Sequence, residues 1–438
     1  MIKLPGEFLS IMQAELGADY DAFLQSYDMP AVKGLRVNTL KASIEEVKKL
    51  CPAELEPVPF CDEGFSIKGE WQNPGSTPMH IAGLIYMQEP SAMLTVSIAE
   101  IEPGMNVLDM CAAPGGKSSA AAARLMGRGM LVSNEIVPSR ANILLSTIER
   151  MGAANAVVSC CRPDELAKAL PEYFDRVIVD APCSGEGMFR KDARAIEEWS
   201  LEHVASCAKR QRLILESSAE CVAYGGMLIY STCTFSKEEN EDNIEAFLAA
   251  HSDFELVKAI RLYPHKFNGE GHFAASLRRK ANTGANGAKK QAAARLEPCR
   301  TAAYEDFIND TFSLPPNGTA YLLKDQRVQL MPFELPESMT KLRLLSAGMS
   351  AGELQKGRFV PAHMLVMAEH GGEYKRTVEL NEDEAMLKAY MRGEESACDE
   401  AYKGYCRVSY NGHSIGWGKA VSGRLKNHLP KGLRIDIK

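Results

Sequence analysis

The sequence predicts a doubly wound α/β domain between a small N-terminal α+β domain and a C-terminal region of α+β and β character. Three observations carry this expectation. Five short apolar segments alternate with helical patterns between about 105 and 231, and strands apolar on both faces belong to a parallel sheet covered on both sides. A loop of small residues and glycines follows the first of them and leads straight into a helix, the kind of βα turn under which such sheets hold ligands. The chain has 438 residues, more than one hydrophobic core ordinarily serves, so several domains are expected.

Taken in order, 1–95 forms the N-terminal α+β domain. Phe8, Leu9, Ile11, Met12 and Leu16 recur at helical spacing, 34–40 is an extended run, and 44–50 is another amphipathic turn or two. The doubly wound domain spans 96–280, with strands at 105–110, 129–134, 156–159, 174–180 and 226–231 and helices at 118–125 and 140–151. The range 281–300 opens on an aperiodic stretch rich in Ala, Gly, Asn and Lys and is expected as a linker. Short β-like runs with Gly and Pro punctuation then divide the rest into an α+β domain, 301–380, and a small β-rich domain, 381–438.

A composition of 45% hydrophobic and 24% charged residues excludes collagen-like, disordered and disulfide-scaffold proteins. The net charge of −7 speaks at first against a polyanionic partner. It is unevenly placed: 278–300 holds seven Lys/Arg and one acid, 415–438 holds six and one, and the remaining chain carries −18. Two basic stretches on an acidic body fit a polyanion. The 12 cysteines are scattered, with no paired CxxC sets for a structural metal, and a chain this long needs no disulfide framework. Free thiols in that number point to a reducing compartment. The start lacks a signal-peptide pattern and no window approaches 18 apolar residues, so a cytosolic protein with no membrane partner is expected.

Asp109-Met110-Cys111-Ala112-Ala113-Pro114-Gly115-Gly116-Lys117-Ser118 stands at the carboxyl end of the first strand. Its glycines let backbone pass close under a ligand, and the helix that follows favours an anionic group. A plain tight turn would share these features. Glu135, closing the second strand 26 residues after Asp109, tilts the reading, because an acid there takes the ribose hydroxyls of an adenosine ligand. The G-x-G-x-x-G fingerprint of nicotinamide cofactors is missing, so S-adenosylmethionine (SAM) suits the loop better.

Asp180-Ala181-Pro182-Cys183 follows the fourth strand and Ser231-Thr232-Cys233 the fifth. Strand ends on one sheet edge converge on the crevice, which makes Cys183 and Cys233 predicted neighbours beside the loop. Free cysteines are most often buried packing residues, yet each of these stands just after its strand. A thiolate beside a methyl donor fits one reaction closely. Addition of the thiolate to carbon 6 of a pyrimidine makes carbon 5 nucleophilic enough to take a methyl group, and Asp180 could stabilise the charge that develops on the ring. Spacing leaves open which cysteine attacks, since DNA cytosine methyltransferases use a Pro-Cys loop like Pro182-Cys183.

At these residues the chain resembles the RNA cytosine-5 methyltransferases of the Nop/Sun type, most of all the bacterial branch acting on 16S ribosomal RNA (RsmF-like). The matching segments are Leu35-Arg36-Val37-Asn38-Thr39-Leu40, Tyr86-Met87-Gln88-Glu89-Pro90-Ser91, 109–118, 180–187, 230–240, Gly269-Glu270-Gly271-His272-Phe273, 344–361 and 416–434. The resemblance implies a class I SAM-dependent methyltransferase (Rossmann-like) fold with a PUA-like RNA-binding tail. It implies Cys233 as nucleophile, Cys183 in product release, and Asp180 orienting the cytosine and bordering SAM. Cys111, Ala112, Ala113, Pro114, Gly115, Gly116 and Lys117, with Glu135 and Arg140, would hold the cofactor, and Lys117 would also face the base. Arg36 and Asn38 would belong to an RNA platform. Trp417, Lys419, Arg424, Lys426, Lys431 and Arg434 would belong to the tail. Arg190 and Lys191, just past the Pro-Cys loop, are expected at phosphates. The family often places an acid after the third strand for the adenine amino group. Here that place reads Ser159-Cys160-Cys161-Arg162-Pro163-Asp164, and the adenine contact stays open. The implied partner is RNA, 16S ribosomal RNA or the small subunit before transfer RNA, acted on by a monomer without metal. Two rivals are a non-catalytic ribosome-assembly factor and a methyltransferase for exocyclic nitrogen or protein. The latter use an Asn/Asp-Pro-Pro-aromatic loop and need no cysteine pair.

Overall fold

An eight-stranded sheet organises the middle of the molecule in the computed structural model, which describes residues 2–282, 288–368, 372–381 and 383–436. In chain order its elements are β1 (Asn106–Asp109), α1 (Gly116–Leu125), β2 (Met130–Asn134), α2 (Pro138–Met151), β3 (Ala156–Ser159), α3 (Pro163–Ala169), β4 (Phe174–Asp180), α4 (Leu201–Cys221), β5 (Val222–Thr232), α5 (Glu241–Ala250), β6 (Phe254–Leu262), β7 (His272–Arg279) and β8 (Leu344–Ala347). The strand order is β6-β7-β5-β4-β1-β2-β3-β8. β1 to β5 are parallel. β7 lies antiparallel between β5 and β6. The chain winds outward from β1 on both sides, which opens a crevice at the carboxyl ends of β1 and β4.

Alternation along the strands builds two cores. Val107, Leu131, Val158, Ile178 and Ile229 face α1 and α2, meeting Ala120, Ala121, Leu144 and Ile148. Leu108, Val132, Val157, Val177, Val179 and Leu228 face α3 and α4, meeting Leu166, Leu215 and Ala219. The five predicted strands are all present, and the fifth starts earlier than its apolar run, at Val222. β8 is invisible to local pattern: it arrives from the C-terminal region and pairs antiparallel with β3, Ala347 opposite Val157. It covers what would otherwise be an open sheet edge.

The N-terminal sheet is antiparallel, ordered Glu54–Val58, Cys61–Lys68, Gly34–Val37, Ile85–Met87. The two helices before it, Gly6–Leu16 and Tyr20–Ser26, pack elsewhere. Phe8, Met12 and Phe23 join Phe189, Trp199 and Phe235, with the Phe8 and Phe189 rings 5.1 Å apart. An ion pair locks this contact. Arg190 meets Glu270 at 2.6 Å with both side chains buried, and Arg190 also donates to Ser26 O at 2.8 Å and Gly269 O at 2.7 Å.

Of the expected linker, 283–287 lies outside the described residues. The following stretch carries no helix or strand but is held by backbone bonds, Ala294 N to Leu335 O at 2.7 Å and Cys299 N to Ala320 O at 2.8 Å. Beyond it come a four-stranded sheet, Thr319–Leu322, Arg327–Met331, Met349–Gln355, Arg358–Pro361, and a five-stranded one ordered Thr377–Glu379, Gly404–Tyr410, His413–Val421, Arg424–Asn427, Ser396–Ala397. The five-stranded sheet shares a core with the N-terminal sheet, where Val408, Ile415 and Tyr390 meet Leu35, Val37 and Phe65. The two ends of the chain therefore pack on each other. No helix among the described residues is long and apolar enough to cross a membrane.

Replacing Glu270 by Ala strands a buried guanidinium and is expected to cost about 3–5 kcal/mol of stability. The urea midpoint of unfolding checks it; an unchanged midpoint would contradict the anchoring role of the pair.

Candidate active site

β4 and β5 run parallel with Asp180 opposite Ser231, so the two segments that leave them share one register. Ala181 N donates to Ser231 O at 2.9 Å and Gly187 N to Cys233 O at 2.8 Å. Glycine is required at 187, because a Cβ there would lie 2.9 Å from the Cys233 carbonyl. The result is a sulfur–sulfur contact: Cys183 Sγ and Cys233 Sγ are 3.3 Å apart. This hydrogen bond first, and burial second, push the Cys183 thiol well above its ordinary value, which keeps a proton on it.

Beside the sulfurs, Lys117 Nζ lies 2.6 Å from Asp180 Oδ2, and Ser231 Oγ donates to Asp180 Oδ1 at 2.8 Å. Burial would raise the Asp180 carboxyl, but Lys117 and these hydrogen bonds outweigh it and hold it below the usual range. Burial likewise opposes the Lys117 charge, and Asp180 outweighs it. The site thus keeps a full positive and a full negative charge in a half-enclosed place, where they act strongly on a ligand.

These groups open on a cleft of about 1490 Å³ lined by Cys111, Ala113, Glu135, Arg140, Asp180, Cys183 and Cys233 together with Arg162 and Asp164. Its geometry fits an adenosine cofactor. Gly115, at φ +115°, closes under the loop where a Cβ would strike the Thr147 methyl at 2.7 Å. Glu135 Oε1 accepts from Val137 N at 2.9 Å, and its Oε2 stands 3.5 Å from Arg140. Arg140 also donates to Ala113 O at 3.0 Å, tying the loop to α2. Ile136 and Val137 line the same end and are 54% and 41% exposed, an apolar wall suited to a flat aromatic ring. Of the remaining loop residues, Ala112 and Gly116 are buried behind the cleft and Pro114 is exposed. At the place left open for adenine, Asp164 is held by Arg162 at 2.9 and 3.0 Å and by Lys168 at 3.1 Å.

Several expected RNA contacts need correction. Arg36 is 1% exposed; it donates to Ser119 Oγ at 2.6 Å and Gln88 Oε1 at 3.3 Å, bracing α1 from behind. Asn38 is fully buried and donates to Gly83 O at 2.8 Å and Met151 O at 2.9 Å. Arg36 fails as a surface contact because strand Gly34–Val37 lies inside its sheet and is covered on both faces, and Asn38, just past that strand, because its amide is committed to backbone carbonyls. Arg190 is spent on Glu270, while Lys191 is exposed. Trp417 is 1% exposed, its indole N–H donating to Ala362 O at 2.9 Å. Arg424, Lys426, Lys431 and Arg434 do lie at the surface, with Arg424 paired to Glu395 at 2.6 Å. Lys419 is half-buried over the Tyr405 ring. Lys438 lies outside the described residues.

Sequence reasoning missed four buried groups around the site. Asp109 is fully buried and accepts from Ser118 Oγ at 2.7 Å. Burial pushes its carboxyl up to about 7. Glu186 and Glu239 bind the cysteine loops together, and burial raises both carboxyls. His272 is 2% exposed, its Nε2 2.9 Å from Thr95 Oγ1; burial first, then Lys117, lowers it to about 4. Polar runs such as Lys237-Glu238-Glu239-Asn240 look like solvated surface in sequence, so only their place in the matched 230–240 segment hinted at a role.

The doubly wound order, the loop and the crevice together define a class I SAM-dependent methyltransferase. Family models agree along most of the chain: "N-terminal domain of 16S rRNA methyltransferase RsmF" matches 4–90, "16S rRNA methyltransferase RsmB/F" 96–278, "RsmF rRNA methyltransferase first C-terminal domain" 306–368, and "Methyltransferase RsmF PUA domain" 375–435. Ribosomal RNA small subunit methyltransferase F of Aliivibrio salmonicida is 33% identical over 99% of this chain and 98% of its own length, and that of Shewanella oneidensis is 30% identical over 100% and 98%. The chain belongs to the ribosomal RNA small subunit methyltransferase F (RsmF) family. Among solved structures, a methyltransferase homologue from Pyrococcus horikoshii superposes with TM-score 0.54 at 28% identity, covering 63% of this chain and all of that one. NSun6 from the same organism, solved with SFG, gives 0.56 at 21% identity over 64% and 99%, a likeness of fold.

The Asp109 carboxyl makes a pH prediction. Its folded value, about 7, lies above the ordinary 3.8, so the folded state holds a proton that the unfolded chain releases. Its stabilising contribution is complete below about 3.8 and declines as pH rises to about 7. Asp109→Asn, which cannot ionise, should flatten this part of the stability–pH curve. An identical slope in both proteins would refute the assignment.

Proposed function

We propose that this protein transfers a methyl group from SAM to carbon 5 of a cytosine in small-subunit ribosomal RNA, through a covalent bond between Cys233 and carbon 6. The observation that carries this reading is the pair of sulfurs 3.3 Å apart, beside the Lys117–Asp180 pair and on the same cleft as Glu135. A methyltransferase acting on a nitrogen or oxygen needs no such pair, because those atoms already carry a lone pair.

Cys233 Sγ bonds to carbon 6, and the electron pair of the 5,6 double bond moves toward carbon 5 and the ring. Asp180, held ionised, accepts from the donor edge of cytosine, while Lys117 offsets the charge that develops. SAM supplies the methyl group, which carbon 5 accepts. Water in the open cleft takes the carbon 5 proton, the electron pair of that C–H bond restores the 5,6 double bond, and Cys233 Sγ leaves carbon 6 as the thiolate. Cys183, hydrogen-bonded to Cys233, stands where it can serve that last stage. Cys111, Ala113, Glu135 and Arg140 would hold the cofactor, with Arg162 and Asp164 at the far end. The target cytosine must leave its stack to reach the cleft.

The surface cations Lys426 and Lys431 suit RNA phosphates, whereas the buried Arg36, Asn38 and Trp417 position other elements. Reversing Lys426 and Lys431 to Glu should weaken RNA binding and flatten its dependence on salt. An unchanged salt slope in a filter-binding titration would remove the tail from the interface.

Bisulfite sequencing of RNA from cells with and without the gene tests the reading directly. Protection of particular small-subunit cytosines should vanish with the gene and return with the wild-type chain, but not with Cys233→Ala. Cys183→Ala should instead accumulate a covalent protein–RNA species on denaturing gels. Full turnover by Cys233→Ala would overturn the assignment.

A further inference from the structure

Beyond the cleft, one buried carboxylate grips the Cys183 turn from the Cys233 side. Glu239 lies in the turn after β5 and is fully buried. Its Oε2 accepts from Ser184 N at 3.0 Å and from Gln211 Nε2 at 2.7 Å. The same Gln211 nitrogen donates to Pro182 O at 3.0 Å. The Glu239 carbonyl accepts from the Tyr230 hydroxyl at 2.6 Å, which fixes it to β5. Ser184 directly, and Pro182 through Gln211, one on each side of Cys183, are thus tied to the segment that carries Cys233. The other oxygen, Glu239 Oε1, is buried with no hydrogen-bond partner among the described residues.

Packing does not explain this arrangement. A buried carboxylate with an open oxygen is costly, and an apolar residue of similar size would serve a core better. Cys233 has its own support: Thr232 Oγ1 donates to Asn240 Oδ1 at 2.6 Å and Asn240 Nδ2 to Thr234 O at 3.0 Å. The tie from Glu239 therefore bears on Cys183 more than on the nucleophile.

We propose that Glu239 is a positioning residue for Cys183, holding its turn against the Cys233 loop so that the adduct can be resolved. The proposal rests on the reaction given above. In that reaction the first half forms the Cys233 Sγ–carbon 6 bond and delivers the methyl group. The second half removes the carbon 5 proton, restores the 5,6 double bond and expels Cys233. Glu239 acts on the second half, because only that half needs Cys183 aligned. Glu239 touches neither cofactor nor base, since it lies behind the turn and not on the cleft.

Glu239→Leu keeps the bulk but removes the acceptor for Ser184 N and Gln211 Nε2, whereas Glu239→Gln can still turn its carbonyl oxygen to both donors. Turnover of Glu239→Leu should fall on the order of 100-fold, as small misalignments of a reacting group do. The covalent protein–RNA species should accumulate on unmodified RNA, as with Cys183→Ala, while affinity for S-adenosylhomocysteine by calorimetry stays unchanged. Glu239→Gln, which keeps the acceptor, should restore most of the turnover; Glu239→Asp, too short to reach both donors, is the variant to read if Glu239→Leu does not fold by circular dichroism. Wild-type turnover in Glu239→Leu, or loss of adduct formation in step with turnover, would overturn the proposal while leaving the reaction intact. If neither the wild type nor Cys183→Ala forms an adduct with RNA carrying 5-fluorocytosine, whose carbon 5 cannot lose a proton, the reaction itself is wrong.

Discussion

The parallel pairing of β4 with β5 is the constraint on which the site depends. Asp180 opposite Ser231 brings the Pro182-Cys183 turn and the Cys233 loop off the sheet side by side. A slip of one residue would turn every side chain on β5 to the other face and would carry Cys233 away from Cys183. The burial of Val177, Val179, Leu228 and Tyr230 on one face and of Ile178 and Ile229 on the other is what forbids the slip. The hydrophobic pattern of two strands thereby fixes the spacing of two sulfurs.

Around those sulfurs the molecule concentrates groups that a core would not choose. Asp109, Glu186, Glu239 and the Lys117–Asp180 pair all lie at the crevice end of the sheet. Buried ion pairs and carboxylates contribute little net stability, so their clustering marks where stability yields to chemistry. Each is held by backbone N–H groups or hydroxyls, which keeps the site rigid without filling it. The surrounding domains add to that rigidity. The N-terminal helices press Phe8 and Phe23 against Phe189 and Phe235 on the two cysteine segments, and Arg36 supports α1 beneath the cofactor loop.

Arg36, Asn38 and Trp417 show how a polar or aromatic residue in a matched segment can be read too simply. Each belongs to a stretch shared with RNA-binding relatives, yet each side chain is turned inward. Their work is to join domains: Asn38 spans from the N-terminal sheet to the end of α2, and Trp417 anchors the last sheet to the one before it. The basic stretch read near the C-terminus is drawn in the structure by Lys426, Lys431 and Arg434, all at the surface.

Local pattern determined the doubly wound domain, the close glycine turn after its first strand and the convergence of Cys183 with Cys233. All three follow from short-range rules: apolar runs make buried parallel strands, glycines permit a close turn, and strand ends on one edge meet. Tertiary structure alone decided the rest. It supplied β8 from far along the chain, packed the two ends of the molecule on each other, and buried Glu239 in a run that reads as surface. These outcomes depend on which faces meet across long sequence separations, and a single strand or helix carries no record of its distant partner. The direction in which Arg36 or Glu239 points is set by that partner, so the sequence could place such residues near the site without saying whether they face the ligand or hold the frame.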